Sequence, residues 1–99
     1  MKCAWCMRTL KEGKEAFGLN VTFSEGVDFS EKEGSITHIF VKSRNTSVPM
    51  IVVAKGSEAK EDGIDGIFPI CSPKCGEKMK QALSKEIGTF KEVNDVLLN

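Results

Sequence analysis

Four cysteines carry most of the chemistry open to this chain, and they come as two pairs. Cys3 and Cys6 have two residues between them, Cys71 and Cys75 three, and the pairs lie more than sixty residues apart. Zinc takes four soft donors in a tetrahedron, with sulfur at about 2.3 Å. A C-x2-C pair supplies two such donors from one tight turn. The second pair stands in "PICSPKCGEKMKQAL", where Ser72 is a good N-cap and Pro73 suits the first helical position. Cys71 then precedes the cap and Cys75 falls in the first turn. There the orphan amides and the positive end of the helix dipole favour anionic sulfur. The spacing predicts one zinc ion held by Cys3, Cys6, Cys71 and Cys75. A closed four-sulfur shell leaves no position for water or substrate, so the ion is expected to be structural. Lys2, Arg8, Lys74 and Lys78 are local cations that would soften the surplus thiolate charge.

Other uses of the cysteines compete with this one. Two disulfides, or four unrelated buried thiols, would also account for them. The start "MKCAWCMRTL" has no apolar run behind Lys2, so no secretory signal is expected and the chain reads as cytoplasmic, where thiols stay reduced. Paired spacing argues against unrelated thiols. A redox dithiol in "CAWC" would follow a strand in a βαβ unit, and here the pair lies three residues from the start.

The elements that must position the cysteines are legible from periodicity. "AFGLNVTFS" alternates, with Phe17, Leu19, Val21 and Phe23 on one face, and reads as a half-buried strand. "SITHIFVKS" (35–43) is β-branched and aromatic, a second strand. "RNTS" reads as a turn. "VPMIVVAK" (48–55) is a third strand, apolar on both faces and expected to be central over most of its length, with Pro49 at its beginning. "GSEAKEDGIDG" (56–66) reads as an exposed mobile loop, and Asp62 and Asp65 lack the ligand pattern of a calcium loop. "IFPIC" (67–71) is a short last strand leading to the second cysteine pair. The helix is expected over 73–87, its stripe formed by Cys75, Met79, Ala82, Leu83 and Ile87, with Gly88 ending it. "TFKEVNDVLL" then fits a short second helix over 89–98, capped by Thr89.

Ninety-nine residues make one domain, in which a zinc knuckle (3–6) and a C-terminal helix bracket a β-sheet (16–70). The expected class is α+β, an antiparallel sheet of about four strands with one or two C-terminal helices. Fourteen basic and fourteen acidic residues cancel, so bulk charge does not imply nucleic-acid binding. The longest apolar stretch, Met50–Ala54, is too short to span a bilayer, and no membrane association is expected.

With these residues in hand, a resemblance can be stated. Cys3-x2-Cys6, then strands, then Cys71-Ser-Pro-Lys-Cys75 opening a helix looks like a treble-clef zinc finger. It is similar in particular to the TRASH, MYM and YHS-type fingers and to a zinc-bearing ribosomal large-subunit protein, in which a Cys-Ser-x-x-Cys stretch starts the helix. The resemblance covers the knuckle and residues 67–83, and it implies the same four cysteines as ligands. Two departures stand out. Met7 and Arg8 replace the usual glycine after the first pair, and the stretch between the pairs is much longer than in those fingers. Members of the fold serve many functions, so the resemblance transmits none.

Three classes of function follow. The first is a protein-interaction or regulatory adaptor, which needs only a zinc-stapled surface, the third strand, the mobile loop and the C-terminal helix being expected to face a protein partner or a second copy in a homodimer. The second is a nucleic-acid-binding module using Arg8, Lys74, Lys78, Lys80 and Lys85, with Trp5 as a stacking platform. The last is an enzyme, for which the chain offers one histidine, His38, and neither a phosphate loop nor a nucleophile elbow. His38 alternates with Ile36 and Phe40 and reads as a sheet-face residue; Trp5 reads as packing over the knuckle.

Overall fold

The computed structural model describes residues 2–10, 17–27, 29–86 and 90–98. Five strands form one antiparallel sheet: β1 (Phe17–Phe23), β2 (Ile36–Val41), β3 (Thr46–Val52), β4 (Gly66–Ile70) and β5 (Phe90–Leu98). Their spatial order is β2-β3-β4-β1-β5. One turn of helix, α1 (Glu58–Glu61), lies between β3 and β4, and the main helix α2 (Pro73–Leu83) follows β4. The domain is therefore α+β.

The period of two decides which face of the sheet is buried. Leu19 pairs with Phe68 and Phe17 with Ile70 across β1 and β4, while Ile39 pairs with Val48 across β2 and β3. Leu19, Val21, Val41, Val48, Met50, Phe68 and Ile70 are all fully buried on this face. Helix α2 completes the core with Met79 and Leu83, the predicted stripe. Full burial of a side chain of this size stabilises the fold by about 1.5–3 kcal/mol. Gly66 has no room for a side chain, since a Cβ there would come 2.7 Å from the Met50 sulfur. On the opposite face of β2, Ile36, His38 and Phe40 are exposed, so His38 is the sheet-face residue expected.

Several expectations are corrected. The stretch 89–98, expected as a helix, holds strand β5 from Phe90 to Leu98, paired to β1. Helix α2 stops at Leu83 rather than 87, with Ser84 and Lys85 continuing as a turn. Ile87, Gly88 and Thr89 lie outside the described residues. Strand β3 is flanked by β4 only at Ile51 and Val52, so it is not central over most of its length. Pro49 sits inside β3, opposite His38, where the β4 ladder does not reach and its missing amide costs nothing on that side.

The segment 56–66 also holds more structure than a loop. Ser57 caps α1 by accepting the Lys60 N–H, and Lys60 forms an ion pair with Asp65. The other carboxylate oxygen of Asp65 accepts the Phe23 N–H at 2.8 Å, and its backbone N–H donates to Val21 O at 2.9 Å. Asp65 thus fastens the excursion to the end of β1. Phe29 anchors the β1–β2 connection, its ring 5.1 Å from that of Phe23. Among the described residues no helix is long and apolar enough to cross a membrane.

Candidate metal centre

The first pair of cysteines sits in a miniature hairpin. Lys2 and Thr9 form a β-bridge, Cys3 N–H donates to Arg8 O at 2.9 Å, and Met7 N–H donates to Cys3 O at 3.0 Å. Closing this turn puts Met7 in the left-handed region, at φ 63°. That is a conformation glycine adopts freely and a residue with a Cβ does not. Ala4 N–H then donates to Pro69 O at 2.7 Å, which lays the knuckle against the end of β4.

The second pair is built by the strand-to-helix junction. Cys71 follows the last residue of β4, and Ser72 is the N-cap, its hydroxyl accepting the Cys75 N–H at 3.3 Å. Pro73 holds the first helical position, as expected. The Cys71 N–H donates to the Cys3 sulfur at 3.4 Å, joining the two pairs directly.

All four sulfurs converge, lying within 4.8 Å of one another. Cys6 and Cys71 Sγ are 3.6 Å apart, and Cys71 and Cys75 Sγ are 3.5 Å apart. A tetrahedron with metal–sulfur bonds of about 2.3 Å has edges of about 3.8 Å, so the donor set fits one ion at its centre. The cysteines are free thiols at these separations, not disulfides, which disposes of that alternative in this structure. Cys3 is buried, Cys71 and Cys75 are half-buried and Cys6 is exposed, so the cluster is open on one side. His38 takes no part in it.

The thiols are not equivalent. A backbone hydrogen bond from Arg8 to Cys6, opposed by burial and reinforced by the other three thiols, holds the Cys6 thiol at about 7, below its ordinary 9.0. Burial, with Cys75, Cys6 and Cys3 beside it, pushes Cys71 up to about 12. Without metal, Cys6 therefore loses its proton at a lower pH than Cys71.

A second clamp, independent of sulfur, joins the same elements. The β2–β3 connection is a 3-10 turn, Lys42–Arg44, closed by Asn45 at φ 51°. From this turn the Arg44 guanidinium reaches the knuckle, where Nη1 donates to Trp5 O at 2.7 Å and the group lies 3.9 Å from the Trp5 ring centre. Ser43 Oγ donates to Ala82 O at 3.3 Å, and the Glu86 carboxylate accepts the Lys42 N–H. The turn is thereby fixed to both knuckle and helix. Trp5 packs over the knuckle, as expected, with Arg44 as its partner. The sequence reading missed Ser43, Arg44 and Glu86, because no local pattern in "KSRN" announces a contact some forty residues away.

The helix lysines separate into two groups. Lys78 and Lys85 line a groove of about 350 Å³ together with Trp5, Ser43, Arg44 and Gln81. Lys74 is exposed one turn earlier on α2, Arg8 is exposed on the knuckle, and neither borders the groove. Comparison with known proteins found no matching family model, curated protein or solved structure.

Proposed function

We propose that the protein is a small zinc-binding module in which Cys3, Cys6, Cys71 and Cys75 hold one structural Zn²⁺ in a treble-clef arrangement, and that it works as a non-enzymatic interaction or regulatory adaptor. The convergence of the four sulfurs carries this reading. Four thiolates in a tetrahedron suit zinc, and a shell closed by four protein ligands leaves it no site for chemistry on a substrate. In this reading the knuckle and helix start are the two halves of a treble clef, with strands β1 to β4 inserted between them and β5 added after the helix. Such a staple contributes directly to folding, since binding free energies on the order of 10–16 kcal/mol accompany structural zinc in isolated modules.

An exposed apolar patch on β2 supports the adaptor reading. Ile36 and Phe40 are about half exposed, at 47% and 55%, on the sheet face away from α2. Large apolar residues grouped on an open face suit association with a protein surface.

Metal analysis of the protein purified without added metal tests the reading. One zinc per chain is expected, with all four thiols unreactive until a chelator is added. A metal-free protein of unchanged thermal stability, or two zinc-independent disulfides, would overturn it.

A further inference from the structure

The groove between the 3-10 turn and α2 has a composition that neither the zinc site nor the adaptor reading uses. Arg44 from the 3-10 turn, Lys78 and Lys85 from α2 and the turn that follows it, and Trp5 from the knuckle all line it. Only one ion pair, Lys60–Asp65, is formed among the described residues, and it lies in the β3–β4 segment. Arg44, Lys78 and Lys85 are not paired with a carboxylate in this way. The nearest acid on the turn, Glu86, is engaged by the backbone of Lys42 and Ser43. Arg44, Lys78 and Lys85 outnumber the carboxylate of Glu86 beside the turn, so the groove carries a local positive surplus in a chain of zero net charge.

We propose that this groove binds the phosphate backbone of single-stranded nucleic acid, with a base resting against Trp5. The cations form a row and not a point. Lys78 lies within α2 and Lys85 two residues beyond its end, so the cations are spread along the groove, and Lys74 stands about 6 Å before Lys78 on the helix, outside the groove. A row of cations in a groove that an aromatic residue also lines matches a strand of phosphates and bases, for which base–aromatic stacking adds affinity independent of sequence. An acidic peptide would use the cations and leave the ring without a function. Arg44 is held at its post by the Trp5 carbonyl, and the rest of its fork is free to meet a phosphate. The proposal rests on the zinc reading only in so far as the metal holds the knuckle that carries Trp5.

Trp5 is the sole tryptophan, so tryptophan fluorescence comes only from the residue that lines the groove. The zinc-loaded full chain is titrated with an oligothymidylate of about twelve nucleotides, within the range of common single-strand site sizes. Saturable change in Trp5 emission is expected. Three phosphate contacts predict a log–log salt slope of about −2, a loss of about 20-fold in affinity between about 50 and 200 mM salt. The double variant Lys78→Ala/Lys85→Ala, both exposed positions, should bind about tenfold or more weakly at low salt, with a slope near −0.7. Zinc content and melting temperature of that variant establish that it is folded. An unmoved Trp5 signal in protein holding its zinc, salt-independent binding, equal binding by the double variant, or equal response to an acidic phosphopeptide of the same charge would overturn the proposal. A chain without zinc would instead sink the metal reading, so the two failures are distinguishable.

Discussion

The guanidinium of Arg44 lies 3.9 Å from the centre of the Trp5 ring and donates to the carbonyl oxygen of the same residue at 2.7 Å. One side chain therefore grips both the ring and the backbone of the residue between the first two cysteines. Because Arg44 stands on the β2–β3 turn, the inserted sheet and the knuckle hold each other in place without metal.

Removing this grip has a measurable cost. Arg44→Ala deletes a charge-assisted hydrogen bond and a cation–π contact, together about 2 kcal/mol. In a domain of this size that corresponds to a fall of roughly 10 °C in the melting temperature of the zinc-loaded protein. Arg44→Lys keeps the charge but not the fork, and should recover less than half of the loss. An alanine variant that melts with the wild type would show that the contact is not a clamp.

Met7 offers the opposite sign. Its left-handed backbone is unfavourable for a residue with a Cβ, and its side chain is 39% exposed, so little burial is lost on truncation. Met7→Gly should stabilise the domain by about 0.5–1 kcal/mol after allowing for the greater freedom of glycine in the unfolded chain. Denaturant titration at constant zinc reads the shift. Destabilisation would mean that the sulfur-containing side chain packs in a way its exposure does not suggest.

The cap of α2 couples helix stability to the metal centre. Ser72→Ala leaves the Cys75 amide without its acceptor and costs about 1 kcal/mol. Since Cys75 is in the same turn, zinc affinity should fall as well, by about fivefold for that energy if the loss is confined to the bound form. Competition with a chromophoric chelator measures it. Unchanged affinity with reduced stability would separate cap from site.

Protonation distinguishes the thiols in metal-free protein. The Cys6 thiol, held at about 7, is mainly thiolate at pH 8, whereas Cys71, pushed up to about 12, is not. Brief alkylation at that pH followed by peptide mapping should label Cys6 ahead of Cys71. The signs of the linkage also differ. Cys6 contributes stability above its unfolded value of 9.0 that is lost as pH falls through about 7. Cys71 contributes stability below 9.0 that is lost as pH rises towards about 12. Equal labelling of all four would show that the metal-free cluster does not persist.

Much of this arrangement was legible in the sequence, and particular residues show why the rest was not. Strands β1 to β4 and the start of α2 were readable because alternation and the Ser-Pro cap are local signals. Strand β5 was misread for an identifiable reason. Its register against β1 slips between Thr22 and Phe23 and again between Leu19 and Val21. Each irregularity inserts a residue, so the residues facing Phe23, Val21 and Leu19 are Phe90, Val93 and Val96, at a spacing of three. That spacing imitates a helical stripe, and only pairing with β1 reveals the bulges. The four cysteines announced the centre by spacing, whereas Arg44 and Asp65 act across the fold and leave no trace in neighbouring residues.

The order of the ligands along the chain has a consequence for how the protein matures. During synthesis Cys3 and Cys6 leave the ribosome with their partners still uncoded into polypeptide, and a two-thiol turn alone grips an ion weakly. The full donor set exists only where β4 lies beside β1 and the junction at Cys71 has formed. If the four thiols hold the proposed ion, its capture would therefore come late, and chains that mispair their strands would meet it without a complete set of donors.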